Sequence, residues 1–578
     1  MKKPTISPDA LAQITEAVPG RIRKKFDAAP DAANAWQWTE DGADFVIAAD
    51  DQTVKLSGPS IASPEQVSCT CLLSPRCLHV LSVVQTLALD DASPIEVAQP
   101  EPVEVAETPF EGLDAAQIEA AEIAWKAAAN LLERGIVHAT LTQHSDILRA
   151  LHLARLRGLW RLSAAGQRVA ESMRFFREKS AAFDRGLFAD ELHEFLLVAH
   201  MLRTKPSLEW VGRARRKYED AGSLKLSGLL GEPVVTRTGY AGVVVYLTDG
   251  TQCWTLSDVM PGDASRVSGA WKGGLSIGDI SMSPMQLSRS GLLVQGATAS
   301  PEGRLGSGQK VKAVTTSGTP LAEHPKFKIA LKDQIQAIFE AKQAGTLRAG
   351  YDFLFICAEV LGGSQDALIV RSLNADGNNA ILRAVPANFV AALKYADNTR
   401  MLARAPGLRF RAVVRLVDAK IDTIEILAIA PELDVEEGEV TLELPPEFEG
   451  RLSFGLDAIK PEYAGAKLSA PHPVQFGAID LESAAQLLRR RVVAAAYGGH
   501  IATQAAAQGI QRDVARLSSW MMNGASSELS ALLSASRPKE RTLTGELATL
   551  DENALALAWC RTSTFLNLLR EEVVRAGY

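Results

Sequence analysis

The chain is poor in the features by which enzymes and membrane proteins are recognised. No stretch approaches the ~18–20 apolar residues of a membrane span. Met1–Ala12 (MKKPTISPDALA) has no apolar core after its lysines, so no secretory signal is expected. There is no His-Glu-x-x-His, dinucleotide or phosphate-loop motif. Gly303–Lys310 (GRLGSGQK) comes nearest, but Lys310 does not directly follow Gly308 and no Ser or Thr follows it, so a turn is expected. Basic charge is in deficit: 61 Lys and Arg stand against 68 Asp and Glu, a net charge of −7. That balance argues against a general polyanion binder, whose affinity comes from neutralising phosphates. Cysteine is scarce, six in 578 residues. With no disulfide framework, a reducing, cytoplasmic location is expected. Cys253, Cys357 and Cys560 are isolated in apolar or mixed segments and read as core thiols. No catalytic constellation emerges, and an enzyme is not expected.

The other three cysteines fall within nine residues. Val67–Leu89 reads VSCTCLLSPRCLHVLSVVQTLAL, and the pattern is Cys69-x-Cys71, five residues, Cys77-x-His79. Side chains two apart on an extended chain point the same way, so Cys69 and Cys71 aim at one point. Ser74-Pro75 is turn chemistry and brings the chain back. On a helix, residues two apart diverge by roughly 200°. Cys77 is therefore expected just before a helix, with His79 at its start and Leu78, Leu81, Val84 and Leu87 on its apolar face. Three thiolates and an imidazole make a closed tetrahedral shell, the structural type of Zn²⁺ site. One structural zinc ion is expected, with Arg76 placed to offset the shell's negative charge.

This motif, followed by an apolar helix, resembles the SWIM-type zinc finger. Asp44–Ala49 and Thr53–Ser57 read as two strands around Asp50-Asp51, which agrees with the ββα unit of that family over roughly residues 35–90. The resemblance implies Cys69, Cys71, Cys77 and His79 as ligands. It also implies an interaction module, since SWIM modules are associated with DNA binding or protein contacts. The whole layout resembles bacterial SWIM proteins found beside MoxR-type AAA ATPases and von Willebrand A-type proteins, and these are the partners it implies.

Taken in order, the chain reads as an α+β multidomain protein. Residues 1–89 hold an N-terminal helix (Ser7–Val18) and the finger. Residues 90–113 are an acidic, Pro-rich linker expected to let the zinc module move relative to the body. Residues 114–205 read as a helical bundle. Residues 206–320 read as a β-rich domain, barrel- or sandwich-like, with an Asp249-Gly250 hairpin. Residues 321–450 read as a second α/β or β-rich domain, with a turn at Asp376-Gly377-Asn378, and residues 451–578 as a C-terminal helical domain.

Basic residues gather at several places, among them Arg149, Arg155, Arg157 and Arg161 on one expected helix and the triplet Arg489-Arg490-Arg491. Arg21, Arg23, Lys24 and Lys25 precede the finger and read as a solvated segment or as a phosphate-contacting edge. Val211–Lys217 is a second run. In Leu408–Leu416, apolar residues alternate with Arg409, Arg411 and Arg415, and Arg383 and Lys420 join the same character. The plainer reading is the solvated outer face of an amphipathic sheet; the sharper is a groove for a nucleic-acid backbone. His193 and His200 lie seven apart on a helix and share one face, a second possible ligand pair. The expected function is a zinc-binding, non-enzymatic adaptor that docks a protein partner, with nucleic-acid (DNA) binding as the alternative. Cys77→Ser is expected to unfold residues 40–90 and leave the body intact.

Overall fold

In a computed structural model the chain is a mixed α/β protein that divides into two compact units. The structure describes residues 3–28, 32–89, 110, 112–213, 218–306, 308, 311–345, 347–364, 367–373, 380–388, 390–417, 422–465, 484–537 and 551–577. The turn at residues 376–378, Lys420, the side chain of Lys24 and nearly all of the expected 90–113 linker lie outside them. Among the described residues no helix is long and apolar enough to cross a membrane.

Unit 1 comprises Met1–Arg215 and Glu482–Leu569. Helix α1 (Pro8–Ala17) starts where Ser7 Oγ accepts from the Ala10 amide at 3.1 Å, with proline at its first position. Helix α2 (Gly20–Ala28) follows, so Arg21–Lys25 stand on a helix and not in a connecting loop. Strands β1 (Gln37–Asp41), β2 (Asp44–Ala49), β3 (Gln52–Leu56) and β4 (Val67–Cys69) form an antiparallel sheet in chain order. Helix α3 (Leu78–Val84) comes next. The two expected strands are present as β2 and β3, but four strands precede the helix, not two. Thr5–Ile6 runs parallel to both Ser60–Ile61 and Ala88–Leu89, and so clips the two ends of the module together.

Four helices then build the bundle: α4 (Ala115–Arg134), α5 (Leu141–Leu156), α6 (Trp160–Arg177) and α7 (Arg185–Thr204). Asp114 opens α4 with a capping box to Gln117. Gly158, whose φ of +72° is left-handed, ends α5. The C-terminal helices α8 (Ala484–Ala505), α9 (Ala507–Ser519), α10 (Asn523–Ala535) and α11 (Glu552–Gly577) belong largely to this unit too. Helix α8 kinks at Gly499 (φ +69°), where any Cβ would come within 2.3 Å of the Glu133 carbonyl oxygen.

One apolar core runs through unit 1, from Ile6, Ile47 and Val83 through Trp125 and Phe195 to Leu488 and Trp559. The N-terminal module therefore shares a core with the bundle, contrary to the expectation of a module free to move on a linker. Buried polar ties reinforce the joint. Arg174 Nη1 donates to the Leu87 carbonyl at 3.0 Å and Nη2 to Glu171 at 2.8 Å, while Glu171 accepts from the Leu89 amide at 3.2 Å. Arg177 donates to Gln85, whose own amide donates to Thr15 at 3.1 Å. All of these partners sit at the far end of α3 from the cysteines, so α3 connects the cage to the bundle.

Unit 2 comprises Arg216–Leu481 and Arg570–Tyr578. Its first sheet has five antiparallel strands: β5 (Glu219–Val235), β6 (Tyr240–Thr248), β7 (Cys253–Pro261), β8 (Gly291–Ala299) and β9 (Lys312–Thr316), in the order β7-β6-β5-β8-β9. Asp249-Gly250 makes the β6–β7 turn, with Asp249 Oδ1 accepting from the Thr251 and Gln252 amides. The second sheet holds β10 (Leu354–Ser364), β11 (Ala367–Ser372), β12 (Ile381–Val385), β13 (Leu408–Leu416) and β14 (Thr423–Pro431). β13 pairs with β10, β10 with β11, β11 with β12, β12 with β14, and β14 with β13 again, so these five pairings run in a ring. The six segments read from the sequence are finer than these two units, and the second unit encloses none of the C-terminal helices but the end of α11.

Candidate metal centre

β4 places the first ligand. Its pairing sets Cys69 opposite Val54 and Val67 opposite Leu56 on β3, whose buried Val54 and Leu56 anchor the register. Thr70 locks the exit from the strand: its amide donates to the Thr53 carbonyl at 3.0 Å, and its hydroxyl accepts from the Thr53 amide at 2.9 Å. The chain then turns through Cys71–Arg76. The Ser74 amide donates to the Cys71 carbonyl at 3.1 Å, and Ser74 Oγ accepts from the Cys69 amide at 3.0 Å, tying the loop back to its base. Cys77 is extended (φ −105°, ψ 166°) and caps α3, its Sγ accepting from the Val80 amide at 3.3 Å. His79 is the second residue of the helix, as its spacing required. Its ring lies 6.1 Å from that of Trp36.

These elements bring the donor atoms of Cys69, Cys71, Cys77 and His79 within 4.8 Å of one another. Among the described residues no other cluster of this kind occurs. Cys69 Sγ and His79 Nδ1 are 3.8 Å apart. Zn–S and Zn–N bonds of about 2.3 and 2.0–2.1 Å in tetrahedral geometry separate neighbouring donors by about 3.6–3.8 Å. The donor set and its spacing therefore fit one metal ion with Cys₃His ligation.

The protonation of the thiols without metal opposes a triple thiolate. Burial pushes Cys77 up to about 12 and raises Cys69 as well. Burial also acts to raise Cys71, but hydrogen bonds from His79, the Leu73 amide and the two neighbouring thiols outweigh it and bring Cys71 down to about 7. A bound divalent cation deprotonates its thiols outright, so metal binding here releases protons.

The loop between the second and third ligands is exposed. Leu72 is as open as in an isolated residue, Leu73 is about half open at 54%, and Pro75 and Arg76 are exposed beside them. The sequence reading passed over this pair. Its signal was two consecutive leucines inside a ligand loop too short to bury them.

The other singled-out residues are elsewhere. Arg21 and Lys25 are exposed on α2 and Arg23 is half-buried. Arg409 is paired with Glu439. Arg411, 6% exposed, donates to Glu432 and Asp434, each at 2.7 Å, and to the Ala322 carbonyl. Arg415 donates to Asp352 at 2.6 Å and Glu232 at 2.9 Å. The expected solvated basic face on β13 is thus corrected: most of the strand is buried, and these arginines are internal ion-pair partners. His193 does not join His200 in a metal site. His193 Nε2 lies 2.9 Å from Thr564 Oγ1, and the His200 ring packs 5.6 Å from Trp125. Comparison of the chain with family models, with curated proteins and with solved structures returns no match.

Proposed function

We propose that the protein is a zinc-stabilised, non-enzymatic adaptor of the SWIM type. Its partner is a protein, with a MoxR-type AAA ATPase or a von Willebrand A-type protein as the classes to test. The observation that carries this reading is the Cys₃His cage with Leu72 and Leu73 presented at its tip. Cys69, Cys71, Cys77 and His79 would hold the ion, which supplies a rigid cross-link between β4, the loop and α3. A shell filled by four protein donors leaves no position for substrate, so the metal's role is structural. Apolar side chains held out on a fixed loop lose little freedom on docking and suit the dry centre of a protein interface.

Two further points support a protein partner over nucleic acid. The arginines of β13 are engaged with carboxylates, and the net charge is −7. One observation favours the second reading. Arg21 and Lys25 are exposed on α2, and α2 packs against α3 through Ile22, Phe26 and Leu81, which puts cations beside the finger.

The test is a pull-down of the tagged full chain from its own cytosol, with and without nuclease, compared with Cys77→Ser. Zinc content is measured on the same preparations. A partner that resists nuclease and is lost with the metal supports docking through the finger. Recovery of nucleic acid that falls steeply with salt would establish the second reading instead.

A further inference from the structure

Unit 2 carries a cavity of about 250 Å³ between the middle of β5, the β6–β7 turn and the segment after β9. Lys225, Ser227, Leu229, Asp249, Leu321 and His324 are among the residues that line it. Two buried groups at this cavity have donors without an acceptor. His324 is 8% exposed and stacks on Phe355 with ring centroids 4.3 Å apart. Its Nδ1 accepts from the Lys326 amide at 3.3 Å. Burial, helped by Lys326, lowers its pKa to about 4, so the ring is neutral at pH 7. With Nδ1 accepting, the proton sits on Nε2, and Nε2 has no partner among the described residues.

Arg451 backs the same wall. It is 2% exposed and donates to the carbonyls of Gly228 and Thr319, two residues of the cavity lining. Its Nε is buried and unpartnered. Burial lowers its pKa only to about 10, so it remains a cation, with Glu449 and Arg289 as the charges that act on it from nearby. It makes no ion pair among the described residues. The other buried arginines among the described residues behave differently: Arg174 and Arg411 each meet a carboxylate. A buried cation without an ion pair is costly, and an anion close by offsets that cost.

At the rim, the Lys225 ammonium is exposed and makes no ion pair among the described residues. The one carboxylate at the rim, Asp249, already accepts from Thr251, Gln252 and the Trp254 indole. The balance at the cavity is cationic and donor-rich, and Leu229 and Leu321 give it an apolar wall.

We propose that this cavity binds a small aliphatic carboxylate, its oxygens taking the His324 Nε2–H and the Lys225 ammonium, with Arg451 supplying positive charge from behind the wall. The site is independent of the zinc cage and of the docking function.

The test titrates sodium butyrate, and separately sodium phosphate, into the full chain at pH 7.5 and constant ionic strength, reading the heat. Saturable one-site binding of butyrate is expected, tighter than that of phosphate. Each charge-assisted or buried donor lost should weaken it about tenfold. His324→Leu and Lys225→Gln are the variants, and His324→Gln, which keeps an N–H donor, should restore most of the binding. Circular dichroism checks folding; if His324→Leu does not fold, Lys225→Gln, an exposed side chain, carries the test alone. The proposal is overturned if butyrate gives no saturable heat into the roughly 10 mM range, if both variants bind as the parent does, or if phosphate binds the tighter.

Discussion

The sheet of unit 1 and the sheets of unit 2 are stabilised by different means. The four strands β1–β4 are short, and β1 is exposed along nearly its whole length. At one end of α3 this sheet meets the Cys₃His cluster, which could hold a metal ion, and at the other the Arg174–Glu171 and Arg177–Gln85 ties. In unit 2, seven of the ten strands β5–β14 have nine residues or more, and the unit has an apolar interior of its own. Its ion pairs, the buried Arg411 with Glu432 and the half-buried Arg415 with Glu232, join elements that already pack. A small sheet depends on a few concentrated interactions, whereas a large one spreads its stability over buried area. The two units should therefore fail differently.

The largest difference should come from the metal. Structural zinc contributes on the order of 10 kcal/mol to small folds. Chelation or Cys77→Ser should abolish zinc content and strip hydrogen-exchange protection from β1–β4 and α3. Because one core joins these to α1 and the bundle, α1, α5 and α6 should lose protection as well, while β10–β14 keep theirs. This replaces the expectation that the damage stays within residues 40–90. Unchanged protection in α1 and α5 would restore that expectation.

Next come the buried arginines. Arg174→Met leaves Glu171 buried without its partner, and Arg411→Met does the same to Glu432. Each should cost about 3–5 kcal/mol, read as a lower urea midpoint for the affected unit only. If Arg411→Met costs as much zinc affinity as Arg174→Met, the contrast between the units is wrong.

A smaller effect concerns acid. His144 is buried in unit 1, with Arg177 Nη1 3.1 Å from its Nδ1. Burial first, then Arg177 and Arg174, hold its pKa well below the ordinary value. It stays neutral in the folded state where the unfolded chain takes up a proton. The stability from this source is thus full above about pH 6.5 and is lost as pH falls below that. Between pH 7.5 and 5.5, unit 1 should weaken more in the parent than in His144→Gln, measured by urea unfolding at both pH values.

The smallest effect on stability belongs to Leu72. Leu72→Ser should shift unfolding by less than about 0.5 kcal/mol and leave zinc content unchanged. Partner capture should nonetheless fall, which separates the docking surface from the cage that supports it.

Much of unit 1's N-terminal module was legible in the sequence. The ligand pattern spans eleven residues, and both the extended pair and the helix start follow from local geometry. The turn at Asp249-Gly250 was equally local. The arginines of β13 were not legible. Alternation over Leu408–Leu416 described a strand with two faces, but Arg415 finds Glu232 from 183 residues away and Arg411 finds Ala322 from 89. Nothing in the alternation distinguishes a solvated cation from a paired one. The acidic linker misled for a similar reason: a polar connector says nothing about whether its two ends dock.

The sequence by itself determined that a Cys₃His cage forms, because four donors separated by a few residues converge through backbone geometry alone. It also determined the helix start after Cys77 and the Asp249-Gly250 hairpin turn, which depend on single residues and their near neighbours. Only the tertiary structure decided that the N-terminal module shares a core with helices beyond residue 482, and that α3 ties the cage to Arg174 and Arg177. It alone decided, too, which buried arginines meet a carboxylate and which, like Arg451, do not. Those outcomes depend on which surfaces exclude water together, and burial is a property of the whole folded chain.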